Sequence, residues 1–218
     1  MITHSHRDLS HIIQRMAQIS SDVFSPLLIP TYGMAAMLWL TPLQFLPEPL
    51  RVNITIVIAA MTALFPTAVI FGLISLGKVK DFSLHKRKER FVPAAAIIVG
   101  LTGAILYLRH AHAPIWMWLF FISGIATTLI GFIITFRWKI SGHTTAMAQL
   151  LALIYWLGYQ HLLPVAPLLL VSIFTLLTGW VCTARLLLHR HTLGQVFAGV
   201  LLGLTVTLLT LFLSTPAI

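Results

Sequence analysis

Seven apolar runs divide this chain, at about residues 24–45, 52–77, 93–108, 115–136, 146–159, 168–188 and 192–213. Most approach the ~20 residues that an α-helix needs to cross the ~30 Å hydrocarbon core of a bilayer. In lipid every backbone N–H and C=O must be paired within the protein, which leaves helices and closed barrels as spanning structures, and runs of this length select helices. The composition agrees: 58% of the 218 residues are hydrophobic and only 9% are charged. The expected fold is therefore all-α, a polytopic integral membrane bundle of about six to seven transmembrane helices. Pro26, Pro30 and Gly33 predict irregular geometry early in the first run, and Pro66 a kink in the second. Gly199 and Gly203, four apart in the last run, predict a helix that approaches a neighbour closely.

Residues 1–22 are different. Leu9, Ile12, Ile13, Met16 and Ile19 recur at helical spacing among polar residues, which predicts an amphipathic helix lying on the membrane surface. No short apolar core with a small-residue cleavage site follows the basic start, so a cleaved signal peptide is not expected. The remainder, 23–218, reads as a single transmembrane domain without repeats or low-complexity segments. Fourteen Lys and Arg against five acids give a formal charge of +9. In a soluble protein that balance would suggest nucleic acid, but no basic helix or aromatic-basic interleave supports such a partner, and anionic headgroups are the expected counter-charge. The single cysteine, Cys182, lies inside an apolar run and can form no internal disulfide.

Polar chemistry gathers at three places. Lys78 to Arg90 is densely basic and contains Lys80, Arg87 and Arg90; residues 137–145 read R-W-K-I-S-G-H-T-T; and residues 184–199 read A-R-L-L-L-H-R-H-T-L-G-Q-V-F-A-G. These follow the second, fourth and sixth runs, so they share one face of the membrane, while the other face keeps Arg51 and Arg109 among the strong bases. Basic residues flanking an apolar run also serve as interfacial anchors. Two of these clusters, however, carry a histidine beside a helix start, where unpaired N–H groups favour an anion. Arg and Lys neutralise a phosphate ester, and five acids in the whole chain cannot build a carboxylate-rich metal cage there. The nucleophile must then be a side chain, and histidine suits the role: His191 attacks phosphorus while His143 moves the proton.

Arg185-x5-His191-x3-Gln195, Ser141-Gly142-His143 and Lys80-x6-Arg87 resemble the three signatures of the type 2 phosphatidic acid phosphatase superfamily, K-x6-R-P, P-S-G-H and S-R-x5-H-x3-D. Here Ala184 stands for the serine, Gln195 for the terminal Asp, Ile140 for the proline before Ser141, and Lys88 for the proline after Arg87. Arg90, three residues before Pro93, is an alternative to Arg87. The wording resembles a bacterial subgroup that carries Gln in the Asp position, and the resemblance covers about residues 78–203. It implies a fold shared with vanadium haloperoxidases and a metal-independent, cofactor-free membrane phosphatase acting on a lipid phosphate or diphosphate of the phosphatidate, phosphatidylglycerophosphate or isoprenyl diphosphate class. By the resemblance His191 is the nucleophile, His143 the general acid and base, and Gln195 the group orienting His191. Lys80, Arg87 or Arg90, with Ser141, Gly142 and Arg185, bind phosphate. It also implies a multi-pass protein of a bacterial inner membrane whose partners are the bilayer and its lipid substrate, with self-association left open. A non-catalytic lipid-phosphate binder or transport component is the alternative that Gln195, Lys88 and Ile140 favour.

Overall fold

The computed structural model describes residues 2–77, 91–164 and 166–213, with side chains from residue 12 onward. The elements in chain order are α1 (Ile2–Val23), α2 (Ile29–Leu40), a short 3-10 turn (Pro42–Phe45), α3 (Glu48–Ala59), a π turn (Ala60–Leu64), α4 (Phe65–Ser75), α5 (Phe91–His110), α6 (Ile115–Thr135), α7 (Gly142–Tyr159), α8 (Pro167–Leu187) and α9 (Leu193–Phe212). Every regular element among the described residues is helical. Among the described residues five helices are long and apolar enough to cross a membrane: the continuous α3 to α4 rod, α5, α6, α8 and α9. The chain is an all-α, multi-pass membrane bundle.

The first expected span is broken up by its prolines. Pro30 sits in the first turn of α2, where a missing N–H costs nothing, and Thr41 with Pro42 ends the helix in a 3-10 turn. The surviving α2 has 12 residues, about 18 Å at 1.5 Å per residue, which is short of the bilayer core. It buries Ile29, Met34, Met37 and Leu38 in the bundle. In the second span the disturbance falls just before Pro66, where residues 60–64 widen into a π turn. A Cβ on Gly100 of α5 would collide with the Met61 carbonyl, so only glycine lets α5 pass this bulge.

α7 is the axis. It is the most polar of the long helices after the amphipathic α1, yet Thr144 to Leu150 are buried without a break, and so are Ala152, Leu153, Ile154, Trp156 and Leu157. A helix buried on all sides belongs at the centre of a bundle, and α2, α6, α8 and α9 pack around it. The outer helices turn apolar side chains outward: Leu168, Ile173 and Leu176 on α8, and Phe197, Leu201 and Leu209 on α9, are exposed as lipid-facing residues should be. α9 lies closest to α7. A Cβ on Gly199 would meet the Thr144 hydroxyl, and one on Gly203 the Thr145 carbonyl. In lipid, where apolar burial gives no force between helices, such backbone approach is what holds a helix pair together.

Candidate active site

The start of α7, the end of α8 and the start of α9 meet at one end of the bundle. Ser141, the extended residue before α7, donates its N–H to the Gln195 carbonyl at 3.3 Å. The Thr144 hydroxyl, 3.1 Å from both the Ser141 and the Val196 carbonyls, lies between the two helix starts. The Thr145 hydroxyl donates back to the Ser141 carbonyl at 2.9 Å. These bonds weld residues 141–145 to residues 195–196, a separation of about fifty in sequence that the glycine contact of α7 with α9 makes possible.

Thr192 ends the linker and α9 begins at Leu193, one residue later than the expected start. The Thr192 N–H donates to Gln195 Oε1 at 3.2 Å, and His191 Nδ1 lies 3.2 Å from the same oxygen. A backbone N–H only donates, so the atom facing it is the amide oxygen rather than the nitrogen. That oxygen only accepts, so Nδ1 carries the proton, and in the neutral ring Nε2 keeps its lone pair. Gln195 thus sets the His191 tautomer as an aspartate would, but without a negative charge.

His191 lies outside the spanning segments, half-buried. Burial is the main cause that pushes its imidazole down to about 4; the Arg185 and Lys139 charges add to this, while the bond to Gln195 and the nearby Lys139 carbonyl, both of which favour the charged ring, partly oppose it. His143, in the first turn of α7, interacts electrostatically with both Arg185 and His191, which brings the three expected functional groups into one site. Its ring donates to the backbone carbonyl of Ser21. Arg185, at the last turn of α8, donates through Nη1 to Ser21 Oγ at 3.2 Å.

Two polar atoms at the site are unpaired. Ser141 Oγ and Arg185 Nε are buried with no hydrogen-bond partner, two of four such side-chain atoms among the described residues. Native proteins leave few buried polar atoms unmatched, so two at one site set it apart. Gly142 and Ile140 flank Ser141 and also line a largely apolar cavity of about 310 Å³. The cavity reaches past Thr145 and Gln149 to Phe120 and Phe121.

The structure therefore joins His143, His191, Gln195, Ser141, Gly142 and Arg185. Lys80, Arg87 and Arg90 lie outside the described residues. Ala184 is fully buried, and Ile140 nearly so, which makes both departures from the signatures apolar packing contacts. Sequence reading missed Ser21 and Lys139. The run R-W-K-I-S-G-H carried a signal for Lys139; nothing around Ser21 distinguished it from the other polar residues of α1.

The fold and site define a multi-pass helical membrane protein with paired histidines and an arginine at one end of the bundle. Residues 131–216, which contain both histidines and Arg185, match the family model described as PAP2 superfamily. That match supports membership of the type 2 phosphatidic acid phosphatase superfamily, whose members are phosphatases acting on phosphoric esters, lipid phosphates among them. Neither the curated proteins nor the solved structures gave a match.

Proposed function

We propose that the protein hydrolyses a membrane lipid phosphate or diphosphate through a phosphohistidine, without a metal ion. The observation that carries this reading is the convergence of His143, His191 and Arg185 around buried donors that have no partner in the protein. In the first step His191 Nε2 attacks phosphorus, the phosphorus–oxygen ester bond breaks, and His143 passes its proton to the leaving alkoxide. In the second, water attacks phosphorus while His143 takes a water proton; the phosphorus–nitrogen bond breaks, inorganic phosphate leaves and His191 Nε2 regains its lone pair. Arg185, Ser141 Oγ and the free N–H groups at the start of α7 stabilise the equatorial oxygens. The charge of Arg185 also favours neutral His191 before attack. An apolar cavity beginning at Gly142 suits the hydrocarbon part of the substrate. A bacterial inner membrane is the setting that goes with this reading.

The test is phosphate release by purified protein from labelled phosphatidate, phosphatidylglycerophosphate and isoprenyl diphosphate in detergent micelles, with acid-labile label trapped on His191. Binding of these lipids with no release would support the second reading, a phosphate-lipid binder, which Gln195 favours because its amide supplies no charge to stabilise the imidazolium. In a serine-protease triad, replacing the aspartate by an amide costs about 10⁴ in rate, largely through the wrong tautomer. Here Gln195 Oε1 is oriented by the Thr192 N–H and imposes the productive tautomer, which favours the enzyme.

A further inference from the structure

The last turn of α1 belongs to none of the three signatures, yet it is tied to the site from three directions. Ala17 and Ser21, one turn apart, are its buried ridge against α8. Trp180 Nε1 donates to Ser20 Oγ at 2.7 Å, and one turn further along α8 Arg185 donates to Ser21 Oγ at 3.2 Å. The Tyr32 hydroxyl donates to the Val23 carbonyl at 2.9 Å, fixing the end of α1 on α2. The Ser21 carbonyl, one of the last four that a helix leaves without an internal partner, accepts from the His143 ring. Helix C-termini carry partial negative charge and favour a nearby cation, here Arg185.

We infer that Ser21 is a positioning residue for phosphate binding: its hydroxyl holds the Arg185 guanidinium in the orientation that leaves Nε free for the substrate oxyanion, so the amphipathic N-terminal helix completes the site. A guanidinium has five donors in a rigid plane, and fixing Nη1 on Ser21 fixes where Nε points. The buried, unpartnered Nε is the donor left over for the ligand. On its outer face α1 exposes Ile12, Met16, Ile19 and Val23, a stripe that follows the helical repeat and suits the membrane interface. The inference rests on the proposed phosphate site.

The experiment measures vanadate binding to the full-length protein in micelles by titration calorimetry, beside phosphate release, for wild type, Ser21→Ala, Ser21→Thr and Ser20→Ala. Ser20→Ala cuts the Trp180 tie on the same turn without touching Arg185, and so reports what helix docking alone contributes. Ser21→Ala is expected to weaken vanadate roughly tenfold or more, as loss of a bond to a charged group does. Ser21→Thr, which keeps the hydroxyl, should recover most of that affinity, and Ser20→Ala should stay within about twofold of wild type. Unchanged affinity in Ser21→Ala, or an equal loss in Ser20→Ala, overturns the inference. Vanadate binding with the expected order of variants but no phosphate release would sink the catalytic reading and leave Ser21 in its role. No binding by wild type would overturn both.

Discussion

The contact that most directly couples packing to chemistry is Gly199 of α9 against the start of α7. A Cβ there would meet the Thr144 hydroxyl, stand 2.8 Å from the Ser141 carbonyl oxygen and lie 3.2 Å from the Thr145 hydroxyl. Threonine side chains can rotate away, although Thr144 would lose its 3.1 Å contact with the Val196 carbonyl. The Ser141 carbonyl cannot move without moving the residue that begins α7. Ordinary carbon-to-oxygen approach begins near 3.3 Å, so Gly199→Ala must separate the two helix starts by roughly 0.5 Å. His191 and Gln195 stand on one side of that seam and Ser141 and His143 on the other. A misplacement of about 1 Å costs on the order of 10²-fold in rate. Half of that displacement should lower kcat/KM about tenfold, near 1.4 kcal/mol of transition-state stabilisation. Overpacking should also cost about 1–3 kcal/mol of stability, within reach of a folded protein. The assay is phosphate release, with monodispersity and thermal midpoint measured on the same preparation. Gly179→Ala is the control, because a Cβ on that lipid-facing glycine meets nothing within 4 Å. Wild-type kcat/KM in Gly199→Ala, in a protein with the wild-type midpoint, would refute the coupling of this seam to the site.

His191→Ala and His143→Ala should each lower turnover at least 10²-fold while the protein stays monodisperse, a loss typical of removing an acid, base or nucleophile. Ser141→Ala should leave the thermal midpoint unchanged or raise it, because it deletes a buried hydroxyl with no partner, yet weaken vanadate inhibition. The acid limb of kcat/KM should fall near pH 4 rather than 6.5, since His191 must be neutral to attack and its protonation is displaced to about 4. Gln195→Glu puts a negative charge beside the ring and should move that limb upward; an unmoved limb would show that another group controls it. The same displacement has a stability consequence: the unfolded chain binds this proton near pH 6.5 and the folded one only near 4, so stability should decline as pH falls between those values, to an extent moderated by the partial exposure of His191. Thermal midpoints of wild type and His191→Gln across that window measure it.

Hydropathy along the chain was enough to define an all-helical membrane bundle, because lipid admits so few backbone structures that run length alone selects among them. The spacing Arg185-x5-His191 and the Ser141-Gly142-His143 triplet likewise exposed the chemical groups, and Gly199 with Gly203 foretold a close helix pair. Other features needed the third dimension. Prolines marked trouble in the first two apolar runs but not its form, since a shortened α2 and a π turn before Pro66 depend on what neighbouring helices will accommodate. α7 became the buried axis although, after α1, its composition is the most polar of the long helices. The joining of Ser141 to Gln195 rests on hydrogen bonds across α7 and α9, and the placing of Ser21 beneath Arg185 depends on how α1 docks on α8. One sequence states which side chains are present and which face of a helix each occupies; which faces meet is decided by packing among segments distant along the chain, and there the site takes its geometry.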